Sequence, residues 1–116
     1  MAQEVANHAT DERELVETTD LQIVRAILER SRRRWQFVWN GIKISAPVLD
    51  QAFYADFFAH RITIAPGDVL RARLRIRQKR NADLGVFIND TYEVIEILNH
   101  VPRSSQAILR YEDRRD

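Results

Sequence analysis

Five basic residues recur at every second position in one short stretch of the chain. Residues 69–79 read VLRARLRIRQK, and the cations are Arg71, Arg73, Arg75, Arg77 and Lys79. On an extended strand, alternate side chains share a face and lie about 6.6 Å apart, close to the spacing of phosphates along a nucleic-acid strand. The chemistry that this pattern suits is the binding of a polyanion, and Arg32, Arg33 and Arg34 would extend the same basic surface.

The same alternation is typical of any strand that packs one face on a core and turns the other to water. In that interpretation four apolar residues point inward: Leu70, Ala72, Leu74 and Ile76. Glu93 and Glu96, in the strand expected alongside, would pair with the arginines across the sheet. Because two acids are fewer than five cations, we expect some arginines to stay unpaired. A basic edge strand that blocks aggregation is a third interpretation.

The net charge of +1 conceals blocks of opposite sign. Residues 1–20 carry a net charge of −5, residues 21–40 carry +4, residues 61–80 carry +6 and residues 81–100 carry −4. Two basic blocks therefore alternate with two acidic ones. This arrangement suits either neutralisation between neighbouring elements or one basic face.

Residues suited to catalysis or metal binding are sparse. The chain has no Cys, which excludes a disulfide scaffold, a thiolate metal site and a cysteine nucleophile. His8, His60 and His100 are far apart and have no carboxylate at ligand spacing, so we expect neither a metal nor a cofactor. No Ser or Thr lies in a nucleophile elbow, and the three glycines fit turns or strand ends rather than a phosphate-binding loop. The sequence therefore predicts that the protein is not an enzyme.

A pair of carboxylates is the remaining catalytic candidate. Asp68 with Asp90 or Glu93 could in principle perform general acid–base chemistry if the fold brought the two groups together. The simpler interpretation is that Asp68 fixes a turn and Glu93 pairs with an arginine.

The strongest structural signal is a hairpin over residues 34–47. Two alternating runs are joined by Asn40-Gly41, which favours a type I′ turn because both positions need a positive φ. The two-residue loop sets the register and places six residues on one face: Trp35, Phe37, Trp39, Ile42, Ile44 and Ala46. These aromatic side chains could form a base-stacking platform, but the apolar face favours a place in the core.

The remaining segments predict a mostly β fold of the α+β class. Residues 20–31 fit either a helix capped by Asp20 or a strand, and their β-branched content favours the strand. Asp50 stands at the N-cap of a short amphipathic helix, and residues 69–79 and 85–98 are two long strands. The order β-β-β-α-β-β is that of an OB fold, a small five-stranded barrel with one helix. An SH3-like barrel, or an open sheet with one helix, shares much of this pattern.

The length of 116 residues suits one domain. Residues 1–18 are polar and acidic without periodicity, so we expect a disordered tail before a single β-rich domain over residues 19–103. Residues 104–116 are expected to form a flexible charged tail. The N-terminal segment has no apolar stretch, which predicts neither a signal peptide nor a membrane anchor. A cytoplasmic location fits the absence of Cys.

A set of short motifs covers more than half of the chain, from residue 35 to residue 98. They are Trp35-x-Phe37, Gly41, Ile44-x-Ala46, Asp50, Phe53, Gly67-Asp68-Val69-Leu70, Leu74, Gln78 and Tyr92-x-Val94. This set resembles a small β-rich module of uncharacterised bacterial proteins, which in some of them follows a histidine-kinase-like ATPase region. Since these 116 residues contain no ATPase segment, the resemblance implies no nucleotide chemistry and no functional residue.

These features together predict a non-catalytic binding or accessory module. A protein partner or self-association is the favoured interpretation, because the fold class supports binding in general and no catalytic constellation is present. Nucleic-acid binding through the basic face of residues 71–79, extended by residues 32–34, is the alternative. Neither interpretation requires a metal, a cofactor or a membrane.

Overall fold

The computed structural model describes residues 11–103, and this part of the chain forms five strands and one helix. The elements are β1 (Glu12–Arg25), β2 (Arg34–Trp39), β3 (Ile42–Pro47), α1 (Gln51–Phe58), β4 (Val69–Arg80) and β5 (Phe87–Val101). The strands form one sheet in the order β3-β2-β1-β4-β5, and all its neighbouring pairs are antiparallel. The mostly β class with one short helix is therefore confirmed. The sheet places β1 at its centre, so its strand order differs from the order along the chain.

The predicted hairpin is present with its predicted register. Asn40 and Gly41 have φ values of 50° and 80°, as a type I′ turn requires. The register of β2 and β3 joins Trp39 to Ile42 at one end and Arg34 to Pro47 at the other. The alternate aromatic residues of β2 are buried, which confirms that they belong to the core rather than to an exposed stacking platform.

β1 begins at Glu12, inside the segment predicted to be a disordered tail, and that prediction is wrong for residues 12–18. This part of β1 pairs continuously with β4, from Glu12 opposite Lys79 to Gln22 opposite Val69. Its periodicity is one of charge rather than of hydrophobicity, since acids face the cations of β4. Residues 1–10 and the predicted tail 104–116 lie outside the described residues.

The ambiguous segment 20–31 divides at Arg25. The residues up to Arg25 belong to β1, where Leu21 and Ile23 are buried in the core. The pairing of β1 with β2 shifts register between Ile23 and Arg25, and the chain then leaves the sheet before β2 begins. The strand interpretation is thus confirmed for the first half of the segment.

β4 has the predicted facing. Its alternate apolar residues, Leu70, Ala72, Leu74 and Ile76, are at most 3% exposed. The core that they form is covered by α1 through Phe53 and Tyr54. Asp50 caps α1 as predicted, accepting a hydrogen bond from the backbone N of Phe53 at 3.2 Å. Its other carboxylate oxygen accepts from the backbone N of Ile97 at 2.9 Å, which ties the helix to β5.

β3 and β5 are the two edges of the sheet, and they meet at one point. An isolated parallel bridge joins Val48 to Val94, and the backbone N of Leu49 donates to the backbone O of Val94 at 2.8 Å. The sheet is therefore not closed, and the predicted barrel is not confirmed as such.

Within residues 11–103, no helix has both the length and the apolar character needed to cross a membrane.

Candidate functional site

The arginine face of β4, defined as Arg71, Arg73, Arg75, Arg77 and Lys79, is lined by acids on both sides. Antiparallel pairing places β1 along one side of β4 and β5 along the other. Three of the five cations make single ion pairs with a neighbouring strand: Arg71 with Asp20 at 3.3 Å, Arg73 with Glu96 at 3.6 Å and Lys79 with Asp90 at 3.5 Å. These groups are largely exposed, so each pair contributes little to stability, typically about 0–1 kcal/mol.

Glu93 is the centre of the arginine face. Its carboxylate lies 2.7 Å from Nη2 of Arg75, 2.9 Å from Nη2 of Arg32 and 3.5 Å from Nη2 of Arg77. The side chain is only 9% exposed, whereas Arg32 is 72% exposed. Burial alone would raise the pKa of Glu93, but hydrogen bonds from Arg75 and Arg32 outweigh it and hold this pKa below its ordinary value. Glu93 is therefore a charged anchor that fixes three guanidinium groups from two parts of the chain.

The prediction that too few acids are available to pair the arginines is wrong. Glu14 of β1 lies 3.3 Å from Nε of Arg77 and 4.0 Å from Nε of Arg75, and Asp20 of the same strand pairs with Arg71. All five cations of the arginine face thus have an acid within 4.0 Å. The prediction of a tail over residues 1–18 excludes the acids of this segment from the set of possible partners. The signal was present in the two-residue spacing of Glu12 and Glu14, which matches that of the arginines.

The three arginines expected to extend this face are in different environments. Arg32 joins Glu93, and Arg33 pairs with Glu29 at 3.2 Å in the connection between β1 and β2. Arg34 is exposed and forms no ion pair with any residue between 11 and 103. The structure therefore does not assemble them with β4 into one free basic surface. Their role in nucleic-acid binding stays a prediction.

An open cleft lies where the two edges of the sheet diverge. It is bounded by residues 42–47 of β3 and residues 90–93 of β5, and it has a volume of about 460 Å³. We call it the β3–β5 cleft. Sequence reasoning missed it, because it exists only where two strands distant along the chain fail to pair.

Pro47 explains why the pairing of β3 with β5 stops. The carbonyl of Val94 accepts a hydrogen bond from the backbone N of Leu49. In a parallel ladder, every second carbonyl of β5 faces β3, so the next one is that of Tyr92, and it would accept from the backbone N of residue 47. Residue 47 is proline and has no N–H. The ladder therefore ends after Val94, and the two edges separate on the side of the hairpin turn.

The β3–β5 cleft carries cations that are not committed to an acid. Arg34 and Lys43 line it, both are exposed, and neither pairs with an acid in the described part of the chain. Tyr92 lies on the other wall, with its ring 5.7 Å from that of Trp39 in an edge-to-face arrangement. The cleft thus combines free positive charge with a half-buried aromatic side chain.

Asp68 occupies a second polar cluster, at the ends of β4 and β5. The residue is 3% exposed, and its carboxylate accepts from the backbone N of Ala65 at 3.0 Å and of Arg103 at 2.7 Å. Nε2 of His100 lies 2.8 Å from the same group. Burial would raise the pKa of Asp68, but the bonds from Arg103, His100 and Ala65 hold it below its ordinary value. The carboxylate therefore fixes the turn before β4, as the simpler interpretation predicts.

Residues 65–68 form the turn before β4, with glycine at the position where a type II turn requires a positive φ. Gly67 has a φ of 93°, and the backbone N of Asp68 donates to the carbonyl of Ala65 at 3.1 Å. A β-carbon at position 67 would lie 2.7 Å from Cδ of Arg103, so a larger residue would require that flexible side chain to shift, and the positive φ itself favours glycine. Nowhere in residues 11–103 do three His, Cys, Asp or Glu side chains approach closely enough to hold a metal ion.

No protein-family model, no curated protein and no solved structure matches this chain. The resemblance to a bacterial β-rich module therefore stays a prediction. The function has to be argued from the arginine face, the β3–β5 cleft and the cluster around Asp68.

Proposed function

We propose that this chain is a non-catalytic binding module that recognises another protein through the free edges of its sheet. The observation that carries the proposal is the β3–β5 cleft, where two strands present unpaired edges next to each other. A free strand edge is a row of backbone donors and acceptors, and many domains bind partners by adding a strand there. Protein recognition therefore fits the architecture without requiring a cofactor or a catalytic group.

The backbone groups available in the cleft follow from the hairpin register. The pair closed by the Asn40-Gly41 turn, Trp39 with Ile42, is hydrogen-bonded, and such pairs then alternate along the ladder. The N–H and C=O groups of Lys43 and Ser45 consequently point away from β2 and into the cleft. The same alternation from Val94 turns the backbone of Tyr92 to the cleft from the opposite side.

The sheet order supports a partly open barrel of the OB kind as the finer description of the fold. Three features support this description: β1 pairs with both β2 and β4, the chain after β3 approaches β5 in parallel, and the helix lies between β3 and β4 in the chain. Such barrels bind ligands on the face of their second and third strands. Arg34 and Lys43 lie in those two strands. A cytoplasmic location, which fits a chain without Cys, remains part of the proposal.

Nucleic-acid binding is the second candidate, and the presence of Arg34 and Lys43 in the cleft favours it. Two observations weigh against it. The cations of the arginine face already have acidic partners, and Trp35 and Phe37 are fully buried and so cannot stack on bases.

The two candidates are separated by one pair of measurements on the full chain. The immobilised protein should retain a partner from a lysate of the source cells above a tag-only control, or the protein in solution should self-associate in sedimentation. The Arg73→Glu variant should give the same result as the unmodified protein in both experiments. A labelled oligonucleotide should show no binding at low ionic strength.

Oligonucleotide binding at low ionic strength would instead support the second candidate. If all five cations of the arginine face met phosphates of duplex DNA, the slope of log K against log salt would be about −4.5. Loss of that binding in Arg73→Glu, together with an absence of any protein partner, would overturn the proposal.

A further inference from the structure

We infer that the β3–β5 cleft accepts an extended peptide as an added strand on β3, and that this peptide alternates acidic with apolar residues. The inference rests on the proposed function, because it names the chemistry of the partner for the same site. It follows from the backbone groups of β3, the side chains on the two faces of that strand and the shape that Pro47 imposes.

The backbone of β3 determines where the added strand pairs. Lys43 and Ser45 each turn one N–H and one C=O into the cleft, so an added strand can form hydrogen bonds at both positions. Pro47 has no N–H to donate, which ends the pairing near the Val48–Val94 bridge. The partner therefore covers a short segment of β3 and enters from the side of the hairpin turn.

The two faces of β3 determine what the added strand carries. Lys43 lies on the outer face of β3 without an acidic partner among the described residues, so a carboxylate is favoured opposite it. Arg34, on the same face of the neighbouring β2, also lines the cleft and adds to its positive charge. On the inner face, Ile42 is 51% exposed and lies beside Tyr92 in the lining of the cleft. Because the side chains of a strand alternate between faces, the partner should alternate in the same way.

A second copy of the chain fits this edge poorly. Pairing of β3 with β3 of another copy would bring the two Lys43 side chains onto the same face of one continuous sheet, and like charges across a sheet are destabilising. The positive charge therefore selects an acidic partner and opposes self-pairing at this edge.

The test is the binding of a fluorescent peptide of four Glu-Val repeats to the full chain, followed by anisotropy. The control peptide has the same composition with four Glu followed by four Val, and a third peptide replaces Glu by Lys. We expect the alternating acidic peptide to bind at least about tenfold more tightly than either control, equivalent to about 1.4 kcal/mol. Equal affinity for the alternating and the block peptide would overturn the inference.

Variants locate the site. Ser45→Pro removes one N–H that faces the cleft without removing a bond to β2, and Arg34→Glu with Lys43→Glu reverses the charge. Each should weaken the alternating peptide about tenfold or more. Arg25→Glu with Arg80→Glu is the matched control, since both arginines are exposed, lie outside the cleft lining and make the same change in net charge. An equal loss in this control would contradict a site in the cleft.

Peptides methylated at alternate backbone nitrogens test the hydrogen bonds without changing the protein. Methylation in one register blocks the N–H groups that face β3, and methylation in the other register leaves them free. We expect only one register to abolish binding, whereas equal effects of both would contradict strand addition. Equal effects of both registers would contradict this inference but not the proposed function, because the immobilised chain could still retain a protein partner. Displacement of the peptide by oligo-dT at low salt would show that the cleft binds phosphates and would also overturn the inference.

Discussion

The arginine face of β4 and the β3–β5 cleft are both basic in sequence, but only the cleft has uncommitted charge. Each of the five cations of the arginine face lies within 4.0 Å of an acid from β1 or β5. Arg34 and Lys43 lie in the short hairpin, where no described acid reaches them. The difference shows that the density of positive charge along a strand does not mark a binding site. What decides it is which strand the topology places alongside.

A second difference lies in burial. Most pairs on the arginine face are exposed on both sides, but the carboxylate of Glu93 is nearly inaccessible and serves three guanidinium groups. A buried charge that loses its partner is costly, whereas an exposed pair contributes little. Substitutions within the arginine face should therefore have very unequal effects.

The largest effect is expected for Glu93→Gln. This change leaves Arg32, Arg75 and Arg77 facing one another around a neutral side chain. We expect it to lower the free energy of unfolding by about 2–3 kcal/mol, which is less than for a fully buried charge because the arginines are partly solvated. Glu96→Gln is the matched control, because its exposed pair with Arg73 should cost less than about 0.5 kcal/mol. Urea denaturation of both variants provides the measurement. Equal costs would contradict the central role of Glu93.

Acidification should reveal the same carboxylate together with Asp68. Both have pKa values held below their ordinary ones in the folded protein. As the pH falls through about 4, the unfolded chain takes up protons first, so the free energy of unfolding decreases. The contribution is fully present above that range and is lost once the pH passes below the folded pKa values.

Each group contributes about 1.4 kcal/mol per unit of difference between its folded and unfolded pKa. Urea titrations at a series of pH values should therefore show stability falling on acidification, with a shallower dependence in Glu93→Gln. A stability that is constant or rises as the pH is lowered would contradict this assignment.

Pro47→Ala tests why the cleft is open. The new N–H is positioned to donate to the carbonyl of Tyr92 and to extend the parallel ladder by one bond. A gain of about 0.5–1.5 kcal/mol from that bond is opposed by about 0.4–1 kcal/mol of extra unfolded-state entropy, so net stability should change by less than about 1 kcal/mol.

Hydrogen exchange is the decisive readout for Pro47→Ala. The amide of residue 47 should be protected, and the alternating acidic peptide should bind more weakly to the narrowed cleft. An amide that exchanges as fast as that of an exposed loop would show that something other than Pro47 keeps the edges apart.

The smallest effect is expected for Arg71→Ala. Its pair with Asp20 is exposed on both sides and lies at 3.3 Å, so we expect a loss of less than about 0.5 kcal/mol in thermal or urea unfolding. A loss as large as that of Glu93→Gln would show that the whole arginine face acts as one cooperative network.

The sequence predicts those parts of the fold whose signals are local. Asn40-Gly41 specifies both the turn and the register of its strands, and Asp50 specifies the start of α1. The sequence predicts only the second half of β1. The first half pairs with residues of β4 that lie about 50 to 70 positions away in the chain, and opposite charges face each other along this pairing. The periodicity of apolar residues does not indicate a pairing that depends on charged residues.

The candidate site was harder to predict for a related reason. The register of the hairpin places Lys43 on its outer face, but nothing near this residue in the sequence indicates that β5 lies across a gap. In the sequence, Pro47 is an ordinary residue at the end of a strand. Its missing N–H explains the open edge only because the fold places β5 beside it at Val94. Features that depend on which strands become neighbours therefore had to come from the structure.

The most direct test of the contrast between the two surfaces is one two-dimensional ¹⁵N NMR titration of the full chain with the Glu-Val peptide. Both surfaces are then observed in the same spectrum. We expect the amide signals of Lys43, Ser45 and Tyr92 to shift progressively, while those of Arg71 and Arg73 stay in place. Shifts concentrated along β4, with Lys43 and Ser45 unchanged, would contradict the conclusion that the arginine face is committed to its own acids and the cleft is free to bind.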